Sequence, residues 1–177
     1  LALRSDMTPQ VGRIAATSLK DAPRPLRLAY CGDTVVIKAS QLDPARERLQ
    51  LGAELIGADS VAAASEAVML AVTALKAAGL TGISVDVTLP DLVDTLAAKT
   101  FPLAPDQVEA VRRELDTKDA GGLRTAGGSA YLPLLYATGP FDQALAALRA
   151  VDAGGALKSR LDGLEAIAAQ IGDAARI

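Results

Sequence analysis

The chain has 177 residues, half of them apolar, and a net charge of −3 at pH 7. That length suits one domain, or one plus a small subdomain. The acidic balance, with three Tyr, two Phe and no Trp, argues against nucleic acid as the main partner, which needs a basic surface and stacking rings. No histidine and one cysteine, Cys31, remove nearly all zinc, iron and copper sites and every Ser-His or Cys-His catalytic pair.

A single cysteine forms no internal disulfide, and without Asn there is no glycosylation acceptor, both of which fit a reducing cytoplasm. No apolar run approaches the roughly 20 residues of a membrane span, so no membrane is expected. The chain lacks an initiating Met and opens inside what reads as a structured motif, which suggests a fragment.

In chain order, Thr8-Pro9 reads as an N-cap followed by the first helical position. Val11, Ile14, Ala15 and Leu19 recur at helical spacing to about Lys20. Asp6 and Thr8 stand at that helix's entrance, either as caps or facing a ligand. After Ala22-Pro-Arg-Pro25, alternation over Leu26, Leu28 and Tyr30, then Thr34 to Ile37, predicts a strand. Lys38 to Pro44 makes the turn of a long hairpin.

The returning strand, Gln50 to Ile56, sets Leu51, Ala53 and Leu55 on one face and Gln50, Gly52 and Glu54 on the other. A carboxamide and a carboxylate about 13 Å apart along the strand, with a glycine between, leave room for a small molecule. A bulge at a half-exposed strand is the plainer alternative. Arg46 and Arg48, flanking Glu47 near the hairpin tip, suit either an anion site or a solvated strand end.

Ser60 to Ala78 carries Val61, Ala64, Val68, Val72 and Leu75 at helical spacing and stops at Gly79. Gly82 to Leu89 alternates again and is expected to extend the sheet, and Pro90 to Leu96 opens a short helix. From Phe101 the alternation ceases, so a boundary is placed near residue 100, dividing 1–100 from 101–177. Helices are expected over Pro105 to Leu115, Ser129 to Tyr136, Phe141 to Val151 and Leu157 to Gly172. Gly121 to Gly128 reads as a linker, since it has no Lys-Ser/Thr ending and follows no strand.

Three ordered motifs, Leu3-Arg-Ser-Asp-Met-Thr-Pro-Gln-Val-Gly-Arg13, Pro25-Leu-Arg-Leu-Ala-Tyr-Cys-Gly32 and Arg46-Glu-Arg-Leu-Gln-Leu-Gly-Ala-Glu-Leu-Ile-Gly57, resemble the core of the class II histidyl-tRNA synthetases. The Asp-Met-Thr-Pro-Gln run is closer to their non-catalytic paralogues, the regulatory subunits of short-form ATP phosphoribosyltransferase. The resemblance covers about residues 1 to 95. It implies an α+β fold, a class II synthetase-like antiparallel sheet flanked by helices, with a helical insertion subdomain. It also implies that Asp6, Thr8, Gln50 and Glu54 line a histidine pocket. Carboxylate, carboxamide and hydroxyl oxygens suit ammonium and imidazole N–H donors.

One departure decides between activities. The synthetases clamp the ATP α-phosphate with an arginine that aligns with Thr34 to Lys38, most closely with Val36; Lys38 takes that place if the register slips by two. An apolar side chain does not stabilise charge on a transferring phosphoryl group, so adenylation is expected to be lost. The resemblance therefore implies a regulatory subunit with no catalytic residues, cofactor or metal of its own. Its partner would be the catalytic subunit of ATP phosphoribosyltransferase in histidine biosynthesis, its effector histidine, and its assembly a homo-oligomer within a hetero-oligomer. A divergent synthetase fragment and a scaffold with a vestigial pocket are the rivals.

Overall fold

The computed structural model describes residues 3–38, 41–42 and 44–177. The chain is mixed α/β, one small antiparallel sheet with many helices, and it divides into two compact units, Leu1–Ala71 and Val72–Ile177. No helix among the described residues is long and apolar enough to cross a membrane.

The first unit begins with α1, Thr8–Ala16, which buries Val11 and Ala15. Met7, not Thr8, takes the N-cap position, and the helix ends four residues before Lys20, where Thr17 leaves helical dihedrals (φ −115°, ψ −80°) and the Leu19 amide donates back to Ile14 O. β1, Leu26–Val35, and β2, Glu47–Ile56, form the two-stranded sheet, antiparallel as expected. Its register pairs Tyr30 with Gly52, Gly32 with Gln50 and Thr34 with Arg48. The expected hairpin tip includes Ala39, Ser40 and Asp43, which lie outside the described residues.

The two faces of β2 differ from what hydrophobicity alone suggests. Leu49 and Leu51 are 71% and 73% exposed, while Gln50, Gly52 and Glu54 are half-buried. The polar row is the covered one. α2, Val61–Ala77, follows; Ser60 Oγ accepts the Ala63 amide at its start, and Gly79 with φ 87° ends it. Arg27 on β1 reaches Glu66 on α2, with Nη2 to Oε2 at 2.8 Å.

The second unit is helical: α3 Leu92–Lys99, α4 Pro105–Asp116, α5 Ala120–Thr125, a 3-10 helix Ser129–Tyr136, α6 Phe141–Val151 and α7 Lys158–Ile171. Its core joins Val93, Leu96, Val111, Leu123, Tyr131, Leu134, Leu145, Leu157 and Leu161. Phe101 meets Tyr131 edge-on at 5.6 Å. Val93 and Leu96 belong to this core and Leu89 packs against it.

Two expected elements differ. Residues 82–89 form no strand of the sheet, although Ile83, Val85, Val87 and Leu89 alternate in burial with Ser84, Asp86 and Thr88. The segment is extended and pairs at a single parallel bridge, Ser84 with Arg176. One-sided packing against helices gives the same period-two signal as a ladder. The glycine stretch expected as a linker contains α5, because Asp119 Oδ1 accepts the amides of Gly121 (2.8 Å) and Gly122 (2.9 Å). That cap offsets the low helix propensity of two glycines.

Candidate functional site

The candidate site lies on the covered face of the hairpin, where the segment before α1 crosses both strands. Arg4 holds that segment to β1 by backbone and side chain: the Val35 amide donates to Arg4 O at 2.9 Å, and Arg4 Nε donates to Asp33 O at 2.6 Å. Gly32 permits the crossing, since a Cβ there would lie 2.8 Å from Arg4 Nη2 and 3.1 Å from Met7 Sδ. A side chain at residue 32 would push the Arg4 guanidinium and the Met7 thioether aside.

Gln50 uses both ends of its carboxamide to fasten the helix entrance. Its Oε1 accepts the Met7 amide at 2.9 Å and its Nε2 donates to Asp6 Oδ1 at 2.8 Å. The same Asp6 Oδ1 accepts the Thr8 amide at 3.0 Å. Gln50 and then the Thr8 amide hold the Asp6 carboxyl below its ordinary value, because each donor favours the charged form. Asp6 thus caps α1 while facing β2, and the two roles assigned to it from sequence are compatible.

Thr8 reaches Glu54 through a residue that sequence reasoning passed over. Thr8 Oγ1 lies 2.9 Å from the Tyr30 hydroxyl, which donates to Glu54 Oε1 at 3.3 Å. Since Tyr30 pairs with Gly52, its ring crosses the bare backbone there; a Cβ on Gly52 would fall 2.2 Å from Tyr30 Cζ. Gly52 is therefore no bulge. The space that the Gln50-Gly52-Glu54 spacing opens is filled by the protein's own phenol. The signal was available in principle: an aromatic residue directly opposite a glycine in a hairpin packs over it.

The structure brings Asp6, Thr8, Gln50 and Glu54 into one hydrogen-bonded row with Tyr30. Arg46 stands apart at the turn end of the hairpin: its side chain is exposed, and its carbonyl accepts the Val36 amide at 2.9 Å. Val36, aligned with the phosphate-clamp arginine, is half-buried one residue beyond β1, and Lys38 is exposed further along.

The row is rich in oxygen acceptors and suits a ligand bearing ammonium or ring N–H donors. Among the described residues, no group of three or more His, Cys, Asp or Glu could hold a metal ion. A cleft of 440 Å³ in the second unit is lined mainly by apolar side chains, among them Val85, Leu92, Leu135 and Phe141. It contains none of the four residues.

The histidyl-tRNA synthetase family model matches residues 1–177. A relative from Rhodospirillum centenum is 43% identical over 86% of this chain and 40% of its own length. Another from Rhodospirillum rubrum is 40% identical over 99% of this chain and 46% of its own length. Both are named ATP phosphoribosyltransferase regulatory subunit, and the chain spans less than half of either. A crystal structure from Bacillus halodurans, described as an ATP phosphoribosyltransferase regulatory subunit/histidyl-tRNA synthetase, shares 29% identity with a TM-score of 0.75. It covers 97% of this chain and 46% of its own. Matched along its whole length and alike in fold, this chain belongs to the histidyl-tRNA synthetase family.

Proposed function

We propose that this chain is part of a non-catalytic regulatory subunit of ATP phosphoribosyltransferase, acting in the first step of histidine biosynthesis. The observation that carries the reading is a pairing of opposites on one hairpin. The acceptor row of Asp6, Thr8, Gln50 and Glu54 is joined by hydrogen bonds through Tyr30, while Val36 is the residue that, by resemblance, aligns most closely with the synthetases' phosphate-clamp arginine. A site that keeps the amino-acid end and lacks the phosphate clamp suits recognition of histidine without its activation. The names of the relatives support the same reading.

In this proposal the intact protein binds the catalytic subunit of the phosphoribosyltransferase and supports its activity. It takes part in histidine feedback because histidine binds the active and inhibited assemblies with different affinity. A homo-oligomer within a hetero-oligomer, in the cytoplasm, completes the proposal. Mixing the intact protein with a short-form catalytic subunit and assaying phosphoribosyl-ATP formation tests it: stimulation is expected, and neither stimulation nor a complex would overturn it.

The family match also favours a second reading, a divergent histidyl-tRNA synthetase. That reading requires histidine-dependent pyrophosphate exchange by the intact protein, which Val36 argues against.

A further inference from the structure

We propose that Tyr30 is an internal occupant of the amino-acid site, and that a ligand binds by displacing its phenol. This deepens the histidine reading above and rests on it. The chemical class of ligand is a small amino acid whose side chain carries an N–H donor.

Geometry and hydrogen-bond inventory carry the proposal together. Tyr30 lies over Gly52, with the built Cβ position 2.2 Å from Cζ, 2.3 Å from the hydroxyl oxygen and 2.6 Å from Cε2. The ring thus fills the only gap in the row Gln50-Gly52-Glu54 that lacks a side chain. Its hydroxyl carries one proton. Donation to Glu54 Oε1 at 3.3 Å leaves its oxygen to accept from Thr8 Oγ1 at 2.9 Å, giving a relay from Thr8 through Tyr30 to Glu54.

A ligand N–H aimed at Glu54 Oε1 competes with the phenol for that oxygen, and one aimed at Thr8 Oγ1, whose lone pairs the relay leaves free, meets the phenol in the same volume. The Asp6 end differs. Asp6 and Gln50 bond to each other and to the amides of Met7 and Thr8, and Tyr30 takes no part in these bonds. Displacing the phenol therefore frees the Glu54 half of the row while the Asp6 half stays fixed as a docking point. The ring is half-buried, and the Glu54 bond that holds it, at 3.3 Å, is long for a hydroxyl donor.

The test is calorimetry of the intact protein with L-histidine and with imidazole, using the wild type, Tyr30→Phe, Tyr30→Ala and Glu54→Gln. Tyr30→Phe keeps the ring over Gly52 and removes the two hydrogen bonds the ligand must break, so histidine binds about threefold to tenfold tighter. Tyr30→Ala binds at least as tightly as Tyr30→Phe, and Glu54→Gln binds more weakly than wild type. Histidine also produces a tyrosine difference spectrum in wild type that Tyr30→Phe lacks.

Binding by Tyr30→Phe or Tyr30→Ala where wild type is silent also supports displacement. Equal or weaker binding by Tyr30→Phe, with wild type binding, overturns displacement and leaves the histidine reading standing. Silence from wild type and both Tyr30 variants overturns the two together.

Discussion

The two units place stability and chemistry in different parts of the chain. In Val72–Ile177 large side chains are wholly enclosed: Leu96, Val111, Leu123 and Tyr131 are 0% exposed. Among the described residues of Leu1–Ala71 the buried apolar ones are Val11 and Ala15, both small to medium, while Leu49 and Leu51 face outward. What the first unit has instead is polar connectivity, from Met7 through Gln50, Asp6, Thr8 and Tyr30 to Glu54. Hydrogen bonds contribute about 0.5–1.5 kcal/mol each, whereas a fully buried Leu contributes about 1.5–3 kcal/mol. The difference teaches that the candidate site is held by geometry more than by packing, so it can rearrange without unfolding the helical unit.

Core truncation gives the largest contrast. Leu96→Ala is expected to cost about 2–5 kcal/mol in equilibrium denaturant unfolding, because its neighbours on α3, α4 and the 3-10 helix cannot close around the void. Leu51→Ala, on the outward face of β2, is expected to change stability by less than about 0.5 kcal/mol. Similar losses for both would erase the distinction between the units.

Tyr131 tests the second unit's polar anchor. Its hydroxyl donates to Phe101 O at 2.8 Å, so Tyr131→Phe leaves a carbonyl unpaired and costs about 1–3 kcal/mol. Burial, and then the charge of Asp94, raises the Tyr131 phenol above its ordinary value of 10.0. The folded state holds this proton more tightly than the unfolded one. Its contribution is therefore complete below the unfolded value and falls as pH rises through the folded value. Alkaline denaturation should weaken wild type more steeply than Tyr131→Phe.

Gly52→Ala sharpens the comparison from the other side. The new methyl overlaps the Tyr30 ring, which must swing off the sheet and release Thr8 and Glu54. The expected loss is about 1 kcal/mol, well below that of Leu96→Ala. Proton NMR should show the Tyr30 ring shifts moving while those of Tyr131 stay fixed.

These contrasts also explain what could be read from the residues. The helices over Phe141–Val151 and Val61–Ala77, and the antiparallel return of β2, follow from periodicity and terminal glycine, signals that are local. The gathering of Asp6, Thr8, Gln50 and Glu54 was visible only through resemblance, since nothing in residues 3–13 dictates which strand they cross. Tyr30 was missed because a period-two reading assigns it to a face without saying what stands opposite. The register with Gly52 supplies that. Residues 82–89 misled for a related reason: alternation reports one-sided burial, whatever the burying surface is. The helix start at Asp119 escaped the reading of Gly121 to Gly128 as a linker, because two glycines carry low helix propensity and the Asp119 bonds that offset it are set by side-chain geometry.

The smallest expected effect concerns Asp6, and it isolates the fixed half of the site. Gln50 Nε2 is the largest cause of its lowered pKa, followed by the Thr8 amide. Gln50→Ala removes the first donor and leaves the second, so the Asp6 carboxyl should titrate closer to its ordinary value of 3.8 without reaching it. The folded pKa is depressed, so the stability linked to Asp6 is present above the unfolded value and is lost as pH falls through the folded one. The group is fully solvent-exposed, and water and salt screen it, so NMR titration of the carboxyl is the proper readout rather than unfolding. An Asp6 titration that does not move in Gln50→Ala would mean that the carboxamide does not face it in solution. The Asp6 end of the row would then be a helix cap alone, with no preorganised surface for an ammonium group.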